Sequence, residues 1–156
     1  DQMWAFGIEQ EGTLHFDIRP GSWSVLGDTY IADGEWHNVV FVRNGTNKVF
    51  YLDGEIEIDL NFENYEDLTN GQDLIIGTEL PNPSQGWDGD ISDISIWNRV
   101  LTQSEVQSYM ATPPIGNEEG LVGYYKFLTG EETTLYDSSD NNNHGAISGA
   151  EWVERE

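Results

Sequence analysis

The sequence predicts an all-β fold, a two-sheet antiparallel β-sandwich of the jelly-roll kind with one short helix near residues 102–110. Short runs of alternating apolar and polar residues recur along the chain, and clusters of Gly, Asp and Asn separate them about every 8–12 residues. Aromatic residues make up 12% of the 156 positions, too many for an acidic chain that stays unfolded. Only one segment has helical spacing. The length suits a single domain, which buries roughly 70% of its extended surface. No disulfide supports that core, because the chain has no cysteine. Lack of cysteine leaves the redox compartment open.

The elements follow in order. Strands are expected at 4–8, 13–18 and 23–26, and Leu14, Phe16 and Ile18 share one face of the second. Residues 35–43 form a longer, more buried run. Lys48-Val49-Phe50-Tyr51-Leu52 and Glu55-Ile56-Glu57-Ile58-Asp59-Leu60 flank Asp53-Gly54. A two-residue Asp-Gly turn needs positive φ at both central positions, which these residues tolerate, so the two runs form a hairpin. Asn44-Gly45 joins the preceding pair, and Asn70-Gly71 precedes a run at 73–77. Later strands are expected at 90–97 and 121–127. Between them Val106, Tyr109 and Met110 have helical spacing, Thr102 and Glu105 form a capping box, and Pro113-Pro114 blocks continuation. This helix should pack against a sheet edge or cover one end of the core.

Charge narrows the partners. Asp and Glu number 29 against 6 Lys and Arg, a formal charge of -23. No basic face is available for a phosphate backbone, which excludes nucleic acid. An anionic membrane surface is excluded for the same reason. No apolar run reaches the roughly 18 residues that a bilayer-spanning helix requires, so membrane insertion is not expected. Asp1-Gln2-Met3-Trp4 lacks the basic start and apolar stretch of a secretory leader. The expectation is that a leader has been removed or that this is a piece of a longer chain.

Ordered motifs add a family resemblance. Asp33-Gly34-Glu35-Trp36-His37-Asn38-Val39 is followed by Tyr51-Leu52-Asp53-Gly54, Leu74-Ile75-Ile76-Gly77 and Trp87-Asp88-Gly89-Asp90-Ile91-Ser92-Asp93-Ile94-Ser95-Ile96-Trp97-Asn98-Arg99. Leu101-Thr102-Gln103-Ser104-Glu105-Val106 comes next. Near the end stand Gly120-Leu121-Val122-Gly123-Tyr124-Tyr125-Lys126-Phe127 and Asp137-Ser138-Ser139-Asp140-Asn141-Asn142-Asn143-His144-Gly145. This series resembles the laminin-G-like, concanavalin A-like lectin and glucanase family. The resemblance implies a jelly roll, an extracellular or cell-surface location and a role in recognition. It also exposes an oddity of order, since the Leu-Val-Gly-Tyr-Tyr and Asp-Ser-Ser blocks commonly open such domains and here come last. The early block of the pattern is missing, and residues 119–156 read either as the strand that completes this sandwich or as the start of a next repeat. About eleven short strands fall short of the family's two full sheets. A segment from another chain, or from an absent upstream part, covering the open sheet edge is therefore one expectation, and a compact sandwich with charged, self-protected edges is the other.

Three chemistries compete for the polar and aromatic residues. Ca²⁺ takes six to eight oxygen ligands, and residues 137–145 supply Asp137, Asp140, Asn141, Asn142 and Asn143. The resemblance implies that this loop meets the segment carrying Asp88, Asp90 and Asp93. The expected Ca²⁺ ligands are Asp137, Asp140, Asn141, Asn143, Asp90 and Asp93, against the alternative of a polar turn whose Asn and Asp satisfy their own backbone. Without cysteine, three dispersed His do not make a zinc site. Sugars stack on exposed aromatics, and Trp23 and Trp87 each follow glycine or a Gly-Ser pair in loop-like sequence. They are the expected ligand-binding residues, whereas Trp36, Trp97 and Trp152 are expected in the core.

Catalysis is the third chemistry. Glu57, Asp59 and Glu63 fall on one strand face, and retaining glycoside hydrolysis needs two carboxyls about 5 Å apart. Their spacing departs from the glucanase pattern, and the simpler reading has Ile56, Ile58, Leu60 and Phe62 facing the core with Glu55, Glu57, Asp59 and Asn61 facing water. No enzyme is expected. Asn44-Gly45-Thr46 matches a glycosylation acceptor but reads as a hairpin turn. The sequence thus points to a non-catalytic, Ca²⁺-stabilised adhesion module for glycans or extracellular proteins. A filament subunit that self-associates by strand complementation is the first alternative, and a glucanase is the second.

Overall fold

The computed structural model describes residues 3–9, 11–19, 23–61, 71–78, 86–128 and 133–153. Strands β1 (Met3–Ile8), β2 (Thr13–Arg19) and β3 (Trp23–Tyr30) form one antiparallel sheet in chain order. Strands β4 (Val39–Asn44), β5 (Asn47–Leu52) and β6 (Glu55–Asn61) form another. β7 (Ile94–Trp97) pairs with β8 (Leu121–Tyr125), and β9 (Thr134–Leu135) pairs with β10 (Gly145–Ala146). Helix α1 (Gln103–Ala111) lies between β7 and β8 in the chain. Among the described residues the protein is mostly β with one short helix, as the sequence predicts. Its described strands group into small separate sheets, where two continuous ones were expected.

Strand β5 shows why these pieces pack together. Alternation sends Val49 and Tyr51 to one face and Lys48 and Phe50 to the other, and all four are buried. A strand buried on both faces must have cover on both sides. On the first side Val42, Val49 and Tyr51 meet Leu101 and the helical Val106, with Val40, Trp97 and Tyr109 around them. Trp97 stacks on Tyr109 with ring centroids 4.9 Å apart. On the second side Phe50 meets Phe16, flanked by Phe6, Phe41 and Ile58. Phe16 and Phe41 approach to 4.4 Å between centroids, which brings the β1-β2-β3 sheet onto the β4-β5-β6 sheet. Burying each of these rings stabilises by about 1.5–3 kcal/mol.

The Asp53-Gly54 turn forms as expected, with φ of 50° and 81° at its two residues. Its carbonyl is also where the helix docks. Gln103 and Gln107, one turn apart on α1, both donate to the Gly54 carbonyl at 3.1 Å. A Cβ at Gly54 would lie 2.9 Å from the Gln107 Cγ, so glycine serves both the turn and the close approach. Thr102 and Glu105 form the predicted capping box. Arg99 ties the helix start to the body, donating to Glu105 at 2.7 Å and to the Glu119 carbonyl at 2.8 Å.

Strand β6 departs from simple alternation. Phe50 lies opposite Ile58 and Tyr51 opposite Ile56, so Glu57 is an extra, bulged residue. A bulge re-aims side chains. Ile56, expected in the core, is 49% exposed, and Glu57, expected to face water, turns toward β3. There the ladder is also irregular, for Thr13 pairs with Tyr30 and His15 with Leu26. The Glu57 carboxylate accepts from the Asp28 and Thr29 amides at 2.9 and 2.8 Å and from the Thr29 hydroxyl at 2.9 Å. Two irregular strands are thereby joined by one side chain. Gly27 makes room, since a Cβ there would lie 3.0 Å from Glu57 Oε1. Phe62 and Glu63 lie outside the described residues.

Other limits have local causes. β7 begins only at Ile94, because Asp93 takes a left-handed φ of 53°. β8 stops at Tyr125, shortly before Phe127 with the same φ. Residues 73–77, expected as a strand, join no strand among the described residues and lie exposed. Glu57→Ala is expected to lower the unfolding free energy by about 1 kcal/mol in a urea titration, the net value of such hydrogen bonds near solvent. An unchanged midpoint would mean that the β3–β6 junction does not depend on this carboxylate.

Candidate functional site

The 137–145 loop lies along β8, and Asp137, Asn141 and Asn143 spend their side chains on the main chain. Asp137 is 7% exposed. Its Oδ1 accepts from the Tyr124 and Ser139 amides, both at 2.8 Å. Its Oδ2 accepts from the Ser139 hydroxyl and the Asn143 amide, both at 2.8 Å. Asn141 donates its side-chain amide to the Leu121 carbonyl at 2.9 Å, and Asn143 donates to the Val122 carbonyl at 2.8 Å. Tyr125 closes the loop by donating its hydroxyl to the Asn143 carbonyl at 2.6 Å. The loop thus braces β8 through these side chains as well as through its backbone, where Tyr125 and Asp137 form an antiparallel bridge and the Ser138 amide donates to the Tyr124 carbonyl at 2.6 Å. Burial raises the Asp137 carboxyl, but the hydrogen bonds from Tyr124, Ser139 and Asn143 outweigh it and hold the group below the usual carboxylate range.

Of the expected Ca²⁺ ligands, the structure brings Asp137, Asn141 and Asn143 together along β8. Asp140 is exposed, with its amide on the Gly116 carbonyl at 3.2 Å. Asp90 is exposed in the segment before β7. Asp93 accepts from the Tyr124 hydroxyl at 3.3 Å. Asp93 and Asp137 therefore hold opposite ends of Tyr124, one at the phenol and one at the amide, with the length of the side chain between them. The phenol is pushed up to about 12 by burial first and by Asp93 second. Among the described residues no three His, Asp or Glu side chains converge to hold a metal ion. Each Asp137 oxygen accepts from two protein donors, and the side-chain nitrogens of Asn141 and Asn143 donate to main-chain carbonyls, so a Ca²⁺ ion here would be held by the Asn oxygens and by Asp137 oxygens already engaged.

The aromatic residues divide differently from expectation. Trp87 is 41% exposed. Its backbone is fixed by donation from its amide to the Gly77 carbonyl at 2.7 Å and by the neighbouring Thr78–Gly86 bridge. Asp88 and Asp90 beside it are exposed, and Gly89, with φ of 146°, keeps a Cβ from crowding the indole nitrogen at 3.2 Å. The backbone of Trp23 starts β3, and its side chain lies outside what is described. Trp36, expected in the core, is 58% exposed, because β4 begins only at Val39. Trp97 and Trp152 are partly buried.

One cluster was not anticipated. His37 lies between two carboxylates, with Nδ1 2.9 Å from Asp53 and Nε2 3.2 Å from Asp33. Asp53 also accepts from the Asn38 amide at 2.8 Å. These contacts lock the segment before β4 onto the Asp53-Gly54 turn that receives the helix. The imidazole is raised above its ordinary value, first by the Asp53 hydrogen bond and then, against some desolvation, by Asp33. Asp33 is lowered, first by the Glu35 amide and then by His37. The sequence signal was a histidine four residues after one Asp and next to a strand whose hairpin turn carries another.

Fold and surface together define a β-rich scaffold with exposed loop aromatics and with carboxylates engaged by the main chain. By the match of residues 1–107, the chain belongs to the concanavalin A-like lectin/glucanases superfamily of laminin G type, which implies a β-sandwich. It is 25% identical over 104 residues to human Pentraxin-4, covering 61% of this chain and 22% of that protein. It is 26% identical over 93 residues to the rat Sushi, von Willebrand factor type A, EGF and pentraxin domain-containing protein 1, covering 54% of this chain and 3% of that protein. The chain thus spans under a quarter of either relative. In fold it is similar to a solved structure described as a "putative carbohydrate binding protein" from Bacteroides ovatus, with TM-score 0.71 and 15% identity. That likeness covers 94% of this chain and 47% of the other. None of the three is named as a glucanase.

Two outcomes follow. The raised imidazole means that the stabilisation from His37 is fully present below its unfolded value of 6.5 and is lost as pH rises through the folded value. His37→Asn should therefore destabilise more at about pH 5.5 than at about pH 8.5, and equal losses would contradict the two-carboxylate contact. Asp137→Ala should cost roughly 3 kcal/mol by stranding buried amides. That loss should be the same in millimolar Ca²⁺ and in EDTA. A Ca²⁺-dependent rise in melting temperature that the variant lacks would make Asp137 a metal ligand instead.

Proposed function

We propose that this chain is a non-catalytic recognition module that binds glycan surfaces, placed outside the cell or on its surface. The observation that carries the reading is Trp87, a half-exposed indole on a pinned loop with free carboxylates at Asp88 and Asp90 beside it. An exposed ring offers a flat apolar face to the C–H side of a sugar, and flanking carboxylates accept from its hydroxyls. A rigid scaffold under the loop lowers the ordering cost of binding. Family membership and fold similarity to the Bacteroides ovatus structure described as a "putative carbohydrate binding protein" support the same reading. The architecture proposed with it is the two-sheet jelly roll, with β1-β2-β3 facing β4-β5-β6 across the phenylalanine cluster.

Engagement of Glu57 with β3 supports a non-catalytic role, because a carboxylate holding three donors is poorly placed as a nucleophile. A second reading, assembly by strand complementation, is favoured by one observation. Leu74, Ile75 and Ile76 are 52%, 42% and 38% exposed and belong to no strand among the described residues. An exposed apolar segment of this kind can add to another chain's sheet edge.

On a glycan array the protein should show saturable retention as a monomer, and Trp87→Ala should weaken it at least about tenfold, or about 1.4 kcal/mol, with no change in melting temperature. Retention unaffected by the variant would remove Trp87 from the account. Polymer in light scattering with indifference to sugars would favour assembly. Reducing ends released from a β-glucan, and abolished by Glu57→Gln, would restore the hydrolase.

A further inference from the structure

A concavity near the end of the chain carries none of the residues weighed above as ligands. Phe127, Leu135, Tyr136 and Trp152 line it together with Lys126, and its volume is about 170 Å³. Drug-sized ligands occupy pockets of about 300–1,000 Å³, so this one accepts a group the size of a single sugar ring. Phe127 and Trp152 meet edge to face at 6.2 Å, and Phe127 holds a left-handed φ of 53°. A bulky residue adopts that conformation only where the surroundings impose it, and such strain collects at ligand clamps.

Lys126 decides the ligand's charge. The chain has 6 basic residues against 29 acidic ones. Among the described residues the Lys126 ammonium nonetheless meets no carboxylate, only the Tyr124 ring at 5.0 Å. It is a positive point in a negative surround, and an ammonium only donates hydrogen bonds. A ligand that fits must bring a flat apolar face for the aromatic walls and an anionic acceptor for Lys126. We infer that this pocket binds a hexuronic acid, a sugar ring bearing a carboxylate. The net charge of -23 sets the form of the ligand. Screening confines the attraction of one lysine to about 8 Å, so a terminal uronate is accepted and a long polyuronate is repelled. The choice of a sugar over another small acid rests on the recognition role proposed above; the cationic aromatic pocket does not.

Titration of the full chain with methyl glucuronide, followed by NMR, tests the assignment. Saturable shifts of the Trp152 indole and Tyr136 ring are expected, with methyl glucoside binding at least about tenfold more weakly. Lys126→Met should abolish that preference at unchanged melting temperature, and Trp87→Ala should leave it intact. Absent shifts, equal affinity for the neutral glucoside, or a preference that survives Lys126→Met would each overturn the assignment. Glucuronide binding together with glycan-array retention indifferent to Trp87→Ala would sink the role of Trp87 and leave this pocket standing.

Discussion

Main-chain amides left open where ladders stop must find acceptors, and in this protein carboxylates supply them. Glu57 takes the irregular amides of β3, and Asp137 takes those of Tyr124, Ser139 and Asn143. Asp53 holds the Asn38 amide, Glu105 caps the helix at Thr102, and Glu118 takes the amides of Ile115 and Gly116. Small sheets with bulged or short strands are stable on these terms. The acidity of the chain is therefore partly architectural, beyond a solvated coat.

This constraint positions everything else. The His37–Asp53 contact fixes the turn whose Gly54 carbonyl receives two glutamines, and those glutamines set the helix over Val49 and Tyr51. Burial on the far face of β5 then aligns the first sheet through Phe16 and Phe50. At the chain's end the Asp137 loop braces β8, which pairs with β7 and places Lys126 and Phe127 just past its last residue. With these particular acids holding backbone, the exposed Asp88 and Asp90 are left beside Trp87 at the surface.

Local features were legible in the sequence. The helix and its cap depend on residues three apart, and the Asp53-Gly54 turn on adjacent ones. Gly86 before Trp87 marked a loop, but the exposure of the indole itself is visible only in the structure. The bulge at Glu57 left no mark, because alternation continues unbroken through Ile56, Ile58 and Leu60, and only pairing with β5 reveals the extra residue. Trp36 read as a strand residue, but the turn locked by Asp33 and His37 delays β4 until Val39. The 137–145 loop was ambiguous for a chemical reason. Asp oxygens suit a cation and backbone amides equally well, and nothing in the order of residues says that Asp137 would take the Tyr124, Ser139 and Asn143 amides while Asn141 and Asn143 donate to the β8 carbonyls. The Lys126 pocket could not be seen at all, since it brings together residues more than a hairpin apart.

The central claim is that these carboxylates act as acceptors for the backbone. It is tested most directly by following the Asp137 side-chain carboxyl through an acid titration by ¹³C NMR. A midpoint below the ordinary 3.8 is expected, with the Tyr124, Ser139 and Asn143 amide resonances moving at that same midpoint. The stabilisation this group provides is present above its unfolded value and lost as pH falls through the folded one. A midpoint at or above the ordinary value, with those three amides indifferent to it, would contradict the account.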